Sequence, residues 1–271
     1  MNQFNDIKYS VILGIAVMFL LFSSFLFAVI YSQRKKNKYQ ENLQKLKEEQ
    51  QNKLIEAAVR SEETERHRIA ETLHDEVGAI LSSAKLHLLG IKSDTLSDRD
   101  KTLYEKGGNL LNDVIKRVRG ISHNLHSSIL KEFGFNEAVR HFLRQVAGSN
   151  IKEATTDLDD TYSNQNPDND ISLYRTVQEL INNIIKYAKP EQLTISSILK
   201  DGRLSLTLFH TGDGLTQSLF EELSFRKEGL GLKNIRNRLL LIKGTIHFSK
   251  ETDGYRININ IPYSPYIPAN E

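Results

Sequence analysis

A long uninterrupted helical pattern near the N-terminus constrains this chain more than any other feature. Residues 35–68 contain no Gly or Pro and are rich in Lys, Glu, Gln, Leu and Ala, which are strong helix formers. The pattern then continues with apolar side chains spaced mostly three or four residues apart: Ile69, Leu73, Val77, Ile80, Leu81, Ala84, Leu88 and Ile91. We therefore predict an amphipathic helix whose wide apolar face needs a partner.

A second run of periodic apolar residues predicts that partner. Residues 90–100 hold turn-forming residues, and the pattern resumes from about Asp100 to His126. Two helices joined by a short loop form an antiparallel hairpin, and dimerisation into a four-helix bundle would bury its apolar surface. Before the hairpin, residues 32–64 predict a helical linker, for which a parallel coiled coil and a solvated single helix both stay open. A third short helix is expected at about Phe135–Gln145.

An apolar stretch without charge, Val11–Tyr31, predicts a membrane helix. Its 21 residues match the roughly 20 that a helix needs to cross a bilayer. A cluster of basic residues follows between positions 34 and 38. Because basic residues favour the cytoplasmic side, we predict a single-pass anchor in the cell membrane, with residues 1–10 outside and the later domains in the cytoplasm.

Composition excludes several classes of function. The chain of 271 residues has a formal net charge of +2, which gives no bulk argument for binding nucleic acid. It has no cysteine, and this excludes disulfides, a thiol nucleophile and cysteine-ligated metal. Its length allows about two domains.

The second half of the chain has a different pattern. Residues 151–170 are largely polar and predict a linker, and residues 171–265 alternate helical stretches with short strands. Helices are expected over 171–189 and 228–241, and strand pairs around the turns at 201–202 and 253–254. The predicted fold class is α plus α/β. It has one transmembrane helix, a dimeric helical-hairpin domain over 65–150, and a two-layer α/β sandwich with a mostly antiparallel sheet.

One histidine on the first helix, His74, directly precedes the acidic pair Asp75 and Glu76. A neighbouring carboxylate can orient a histidine ring and take its proton, which suits a nucleophile. Helical spacing places His74 at the edge of the apolar stripe, where it would project to solvent. Taken alone, the pair is also typical of an exposed helix face with mixed charge.

Three polar residues share one face of a predicted helix in the second half. Glu179, Asn183 and Lys186 are spaced by four and three residues. Carboxylate and amide oxygens suit the hard cation Mg²⁺, and lysine suits phosphate. By itself this pattern is more often that of the polar face of a half-buried helix.

Two pairs of glycines follow. Gly212 and Gly214 come after a strand, and Gly229 and Gly231 open a helix, with a mobile polar lid expected between them over 216–227. Glycine lets a backbone approach a nucleotide closely, and a helix N-terminus can hold phosphate. Each pair alone is weak, whereas their order after the helix of Asn183 is much more specific.

In this order the motifs resemble those of the sensor histidine kinases of two-component systems. The likeness is to the nitrate-sensor-like subfamily, whose partners are regulators with LuxR-type DNA-binding domains. It covers about residues 61–262 and includes the box around His74, the stretch 118–126, the helix of Asn183 and both glycine pairs. The second domain would then have the ATP-binding fold of Hsp90, gyrase B and MutL.

The resemblance implies a role for each of these residues. His74, oriented by Asp75, would take the γ-phosphoryl group of ATP and pass it to an aspartate of a response regulator. Asn183 would hold Mg²⁺ with support from Glu179, and Lys186 would contact phosphate. The other nucleotide-site residues would be Tyr187, His210, Gly212, Gly214, Gly229, Gly231 and Leu232. A homodimer without direct nucleic-acid binding is implied.

Three positions depart from the family pattern. His210 stands where an Asp usually accepts a hydrogen bond from the adenine amino group, although a neutral imidazole nitrogen can also accept one. Tyr187 replaces the usual His. Ala79 replaces a Gln that positions water for removing phosphate from the regulator, and a methyl group cannot orient water.

The departures at His210 and Ala79 keep a second hypothesis open. A catalytically weak pseudokinase could act as a membrane scaffold or as the heterodimer partner of another kinase. Intact His74 and Asn183 favour an active kinase instead. A conformational ATPase of the Hsp90 or MutL type would leave the helix of His74 unexplained.

Overall fold

The computed structural model describes residues 2–91, 96–125, 128–148, 151–163, 167–226 and 230–263. Side chains of residues 1–13 and 15–17 lie outside this description. The chain forms two compact units, residues 1–54 and residues 55–271. In the first unit, large apolar side chains between Met18 and Tyr31 are exposed.

The predicted long helix is present, with an irregular turn at its centre. Helix α1 spans Asn2–Thr72 and continues through a π-helical turn, Leu73–Val77, into α2, Gly78–Leu89. Helix α3, Asp98–Leu125, packs back against α2 and completes the predicted hairpin. A buried hydrogen bond of 3.0 Å from Ser122 Oγ to the Ala70 carbonyl joins the two arms.

Helix α4 spans Ser128–Ala147 and is kinked at Gly134, where φ is 80°. After the kink its apolar side chains, including Phe135 and Phe142, enter the same hydrophobic core as the second domain. The Phe142 and Tyr174 rings meet edge to face with centroids 6.4 Å apart. The division expected between residues 150 and 151 therefore runs through a continuous core, because α4 packs on the later helices.

A five-stranded mixed sheet forms the second domain. The strands are β1 Glu153–Asp157, β2 Gln192–Lys200, β3 Arg203–His210, β4 Thr245–Lys250 and β5 Tyr255–Pro262, in the order β1-β2-β3-β5-β4. Among the described strands, only β1 pairs in parallel, with β2, and the other pairs are antiparallel. Both predicted hairpins and the mostly antiparallel sheet are confirmed. Strand β1 lies inside the segment expected to be linker.

Three helices accompany the sheet. They are α5 Pro167–Asn183, which continues through a π-helical turn at Ile184–Ala188, α6 Gln217–Phe225 and α7 Leu230–Leu241. Alternate residues of β2 and β3 are buried, so one sheet face packs into the core. The lid expected over 216–227 is largely the helix α6, because Phe220 is buried and stacks on Phe248 at 4.6 Å.

Among the residues whose side chains are described, no helix is long and apolar enough to cross a membrane. The predicted membrane helix, residues 11–31, lies partly outside that set, at residues 11–13 and 15–17. The anchor therefore stays a prediction.

Candidate nucleotide and phosphoacceptor sites

A cavity of about 570 Å³ opens between α5, α7 and the end of β3. It brings together eight of the residues predicted for the nucleotide site: Glu179, Asn183, Lys186, Tyr187, His210, Gly214, Gly231 and Leu232. Gly212 adjoins it through its neighbour Asp213, and Gly229 lies outside the described residues. Residues distant in the sequence thus converge on one cavity.

Glu179 and Asn183 meet on the polar face of α5. The Asn183 side-chain amide donates a long hydrogen bond of 3.4 Å to Glu179 Oε1. Because the amide nitrogen is turned to the carboxylate, the Asn183 carbonyl oxygen stays available as a ligand. Lys186 is exposed at the cavity, 4.9 Å from the centroid of the Tyr187 ring. The Tyr187 ring is 66% exposed.

A Cβ at any described glycine of the two boxes would come too close to a neighbouring group. Gly212 has a φ of 86°, and a Cβ there would overlap the Ala188 carbonyl oxygen. At Gly214 a Cβ would overlap the Tyr255 ring, and at Gly231 it would overlap the Glu179 carboxylate. These glycines let three chain segments close around the cavity.

His210 is buried at the cavity, with 2% of its surface exposed. Its Nδ1 lies 3.0 Å from the Thr211 carbonyl oxygen, and its ring stacks on Tyr255 at 5.8 Å. A carbonyl only accepts, so Nδ1 carries the hydrogen. Burial lowers the pKa of His210 more than this hydrogen bond raises it. The ring is therefore neutral at pH 7, and its Nε2 has a free lone pair.

His74 and Asp75 lie on a different surface. Within the π-helical turn, His74 Nδ1 is 2.8 Å from Asp75 Oδ1, and the His74 side chain is 72% exposed. The carboxylate accepts from Nδ1–H, which leaves the Nε2 lone pair directed away from Asp75. Both residues line a groove of about 300 Å³ together with Ala79 and Arg119. Extra-wide helical turns of this kind frequently occur at functional sites.

Some lining residues were not predicted from the sequence. Arg226, Phe248 and Ile257 border the nucleotide cavity, and Tyr255 stacks on His210. Tyr255 reaches His210 because the two are paired across β3 and β5. The position of Tyr255 after the Asp253-Gly254 turn predicts a strand, but it does not indicate that this residue lies near the cavity.

The cavity residues could hold a magnesium ion only together with oxygen ligands from a bound phosphate. Glu179 and Asn183 offer a carboxylate and an amide oxygen, which are hard ligands. Within the described ranges, no group of three or more His, Cys, Asp or Glu could hold a metal ion alone. Magnesium is usually held by one or two protein oxygens with substrate phosphates, so this donor set fits.

Two family models match the chain on either side of residue 150. One, described as histidine kinase, covers residues 65–130. The other, described as histidine kinase-, DNA gyrase B- and HSP90-like ATPase, covers residues 168–265. The two matched regions include His74 and the described cavity residues respectively.

Several similar proteins are also named as histidine kinases. Sensor histidine kinase MctS of Rhizobium johnstonii is 26% identical over 219 residues, covering 80% of this chain and 47% of that protein. Signal transduction histidine-protein kinase/phosphatase UhpB of Salmonella typhimurium is 25% identical and covers 78% and 41%. Oxygen sensor histidine kinase NreB of Staphylococcus carnosus is 26% identical and covers 78% and 60%. The chain thus spans about half the length of these relatives.

Among solved structures, the catalytic domain of histidine kinase ThkA matches 48% of this chain at 18% identity, with a TM-score of 0.40. The two family models, on the hairpin and on the cavity-bearing domain, define the class: this chain belongs to the sensor histidine kinases. Within that class, the likeness to UhpB and NreB places it in the nitrate-sensor-like group.

Proposed function

We propose that this chain is an ATP-dependent protein-histidine kinase that phosphorylates its own His74. The observation that carries the proposal is the fixed tautomer of His74, whose Nδ1 is bound to Asp75 at 2.8 Å. Nε2 attacks the γ-phosphorus, the bond to the β–γ bridging oxygen breaks, and ADP leaves. The ring gains positive charge as the new bond forms, and Asp75 can accept the Nδ1 proton.

The cavity residues suit the binding of ATP. His210 Nε2 can accept a hydrogen bond from the adenine amino group, since Nδ1 carries the proton. Asn183 and Glu179 would hold Mg²⁺, which neutralises phosphate charge when bound. Lys186 borders the same cavity and adds a positive charge. Phosphoryl transfer needs positioning and charge neutralisation above all, and these residues supply both.

We further propose a homodimer that passes its phosphoryl group to an aspartate of a cytoplasmic response regulator. Support for a LuxR-type regulator comes from the similarity to UhpB and NreB. Support for the dimer comes from the hairpin, which exposes apolar residues such as Ile80, Leu86 and Leu110. A second copy would bury them.

The N-terminal part of the chain supports a proposed anchor in the cell membrane. Most of its described side chains from Met18 to Tyr31 are apolar, and they are exposed on all sides of α1, a surface that suits lipid. The basic residues that follow support a cytoplasmic position for the kinase domains, because basic residues favour that side of a membrane. The chain should stay in the membrane pellet after an alkaline carbonate wash. Release of most of the protein by that wash would contradict the anchor.

The central test is autophosphorylation of the full chain in a mild detergent with γ-labelled ATP and Mg²⁺. We expect acid-labile, base-stable label that is absent from His74→Gln, while both proteins bind nucleotide equally. Adding response regulators should then remove the label from the kinase and transfer it to the cognate regulator.

A matched control is His67→Gln, which changes another histidine of the same helix, where Nε2 lies 3.2 Å from Glu71. This variant should label like the wild type. Label that persists in His74→Gln would move the acceptor elsewhere. Absence of both label and nucleotide binding in the wild type would instead favour the pseudokinase.

A further inference from the structure

The backbone next to the His210 ring is held from both sides. The carbonyl that accepts from His210 Nδ1 belongs to the peptide bond that follows Thr211. Before that bond, the Thr211 N–H donates to the Gln192 carbonyl at 3.1 Å, and after it the Asp213 N–H donates to the Ala188 carbonyl at 3.3 Å. The Thr211 carbonyl therefore cannot turn away from the ring without the loss of these two hydrogen bonds.

The Thr211 side chain restrains the same segment. Its Oγ1 accepts from the backbone N–H groups of Glu191 and Gln192 at 2.9 and 3.0 Å. These contacts tie Thr211 to the start of β2, in addition to the backbone hydrogen bonds. A fixed acceptor thus lies at Nδ1 of His210.

The His210 ring also has little freedom to turn. It stacks on the Tyr255 ring with 14° between the two planes. A Cβ at Gly254 would lie 2.3 Å from the His210 carbonyl oxygen, so the chain packs closely around the His210 backbone. A half-turn of the ring would place a carbon instead of Nδ1 at the Thr211 carbonyl and lose that hydrogen bond. The direction of Nε2 is therefore fixed as well.

Nε2 is the atom that His210 offers to a ligand. Within the described ranges the hydrogen bond to Thr211 is the one that the His210 side chain makes, and His210 lines the cavity. A hydrogen moved from Nδ1 to Nε2 would leave two acceptors facing each other at 3.0 Å. The neutral ring can therefore only accept at Nε2.

Purine nucleotides form two classes at the position that this nitrogen would meet. Adenine carries a 6-amino group, which donates, whereas guanine and hypoxanthine carry a 6-oxo group, which only accepts. Neutral His210 suits the amino group, because a 6-oxo group would set one lone pair against another. A protonated ring has an N–H at Nε2 and suits the 6-oxo group instead.

Burial and one hydrogen bond set the protonation of the ring. Burial lowers the pKa of His210, and the hydrogen bond to the Thr211 carbonyl raises the pKa by less. Its partner on β2 is the uncharged Leu193, and Tyr255 stacks on it from β5. The ionisable groups of the cavity and of the segment at Thr211 are Glu179, Lys186, Tyr187, Glu191, Asp213 and Arg226. The ring is therefore neutral at pH 7 and gains its proton in more acidic solution.

We propose that the charge of His210 selects the class of purine nucleotide: the neutral ring takes adenine nucleotides, and the protonated ring takes 6-oxo purine nucleotides. The proposal rests on the proposed function, because it concerns the substrate of the same cavity. The Thr211 carbonyl makes this selection possible, since it excludes the neutral tautomer that could donate to a 6-oxo group. An Asp at this position would accept at neutral and at mildly acidic pH and could not make the change.

The test compares the dissociation constants of ADP and inosine diphosphate. The full chain is titrated in a mild detergent with Mg²⁺, from about pH 8 down to the lowest pH at which circular dichroism shows folded protein. The ribose and diphosphate of the two ligands are the same, so the ratio of the constants reports on the base. We expect inosine diphosphate to bind at least about thirtyfold more weakly at about pH 8. The ratio should fall by about tenfold or more as the His210 ring gains its proton.

Two substitutions at the same position give opposite expectations. His210→Asp only accepts, so its ratio should stay high and independent of pH. In His210→Gln the amide can turn its oxygen or its nitrogen to the base. The ratio of this variant should therefore stay within about threefold of one at every pH. If one variant does not fold, the other still tests the group.

The possible results separate the selectivity from the catalysis. A wild-type ratio that stays flat or rises in acid, with ADP still bound, overturns the selectivity and leaves the proposed function standing. A ratio that depends on pH as strongly in His210→Gln or in His210→Asp as in the wild type also overturns it, because another group would then titrate. If the ratio changes as expected but His74 is not labelled, the selectivity stands and the proposed function fails. If neither nucleotide binds the folded wild type, both fail.

Discussion

His74 and His210 both have their Nδ1 atoms fixed by a neighbouring oxygen. At His74 the partner is the Asp75 carboxylate, and at His210 it is the Thr211 carbonyl. The Nε2 atom of each ring therefore has a free lone pair, which is exposed in His74 and buried in His210. The exposed lone pair of His74 suits attack on phosphorus, and the buried one of His210 suits recognition of an amino group.

His210 makes nucleotide binding sensitive to acid. Burial lowers its pKa from the ordinary 6.5, so the ring stays neutral at pH 7 and gains a proton only in more acidic solution. A protonated Nε2 cannot accept from adenine. We expect nucleotide affinity to fall by about tenfold, the loss of roughly one hydrogen bond, over the acidic range in which the His210 ring gains its proton. Titration calorimetry with ADP at several pH values measures this.

His210→Asp is the control for that prediction, because a carboxylate accepts over the whole range. Any effect of protonating the nucleotide is common to both proteins, so the ratio of their affinities reports on His210. A ratio that does not change with pH would contradict the role of His210. Acid also destabilises the fold. Below about pH 6.5 His210 binds more protons in the unfolded chain than in the folded chain, so the free energy of unfolding falls as the pH falls.

Local patterns in the sequence predicted most of the helices and strands. The hairpin helices and both β-hairpins are present, because side-chain periodicity and Asp-Gly turns act over a few residues. Strand β1 was taken for linker because its five residues are mostly polar and only parallel pairing with β2 makes it a strand. Helix α6 was taken for a polar lid because the contact that packs it on the sheet, Phe220 on Phe248, joins residues far apart in the sequence.

Features that depend on distant pairing could not be predicted. The cavity residues were found because their motifs have a characteristic order, whereas Tyr255 depends on strand register. The ion pair between Glu63 and Arg175 likewise joins residues that are 112 positions apart. On the sequence, Glu62 and Glu63 are two charges among many on a helix. Nothing in the local pattern marks them as partners of buried arginines.

The whole molecule is expected to be a dimer through its hairpin. Leu110 is 66% exposed on α3, on a face with other exposed apolar residues. A Leu110→Glu variant should dissociate, since a buried unpaired carboxylate at a dimer interface is strongly unfavourable. Light scattering that separates protein from detergent mass should then give 31.0 kDa for the variant, and twice that for the wild type.

Leu240→Glu provides the comparison, because Leu240 is also exposed but lies on α7, outside the hairpin. This variant should remain a dimer. A wild-type mass of one chain, or a Leu110→Glu mass equal to that of the wild type, would contradict a dimer through this face.

The kink at Gly134 has a practical consequence for dividing the protein into fragments. Beyond it, Phe135 and the following turns of α4 belong to the core of the ATPase domain. A fragment that began at residue 168, the start of the family match, would remove these side chains and strand β1 together. It would expose the apolar side chains of α5 to water. The smallest stable nucleotide-binding piece should therefore start at about Gly134, well upstream of the region that the family defines.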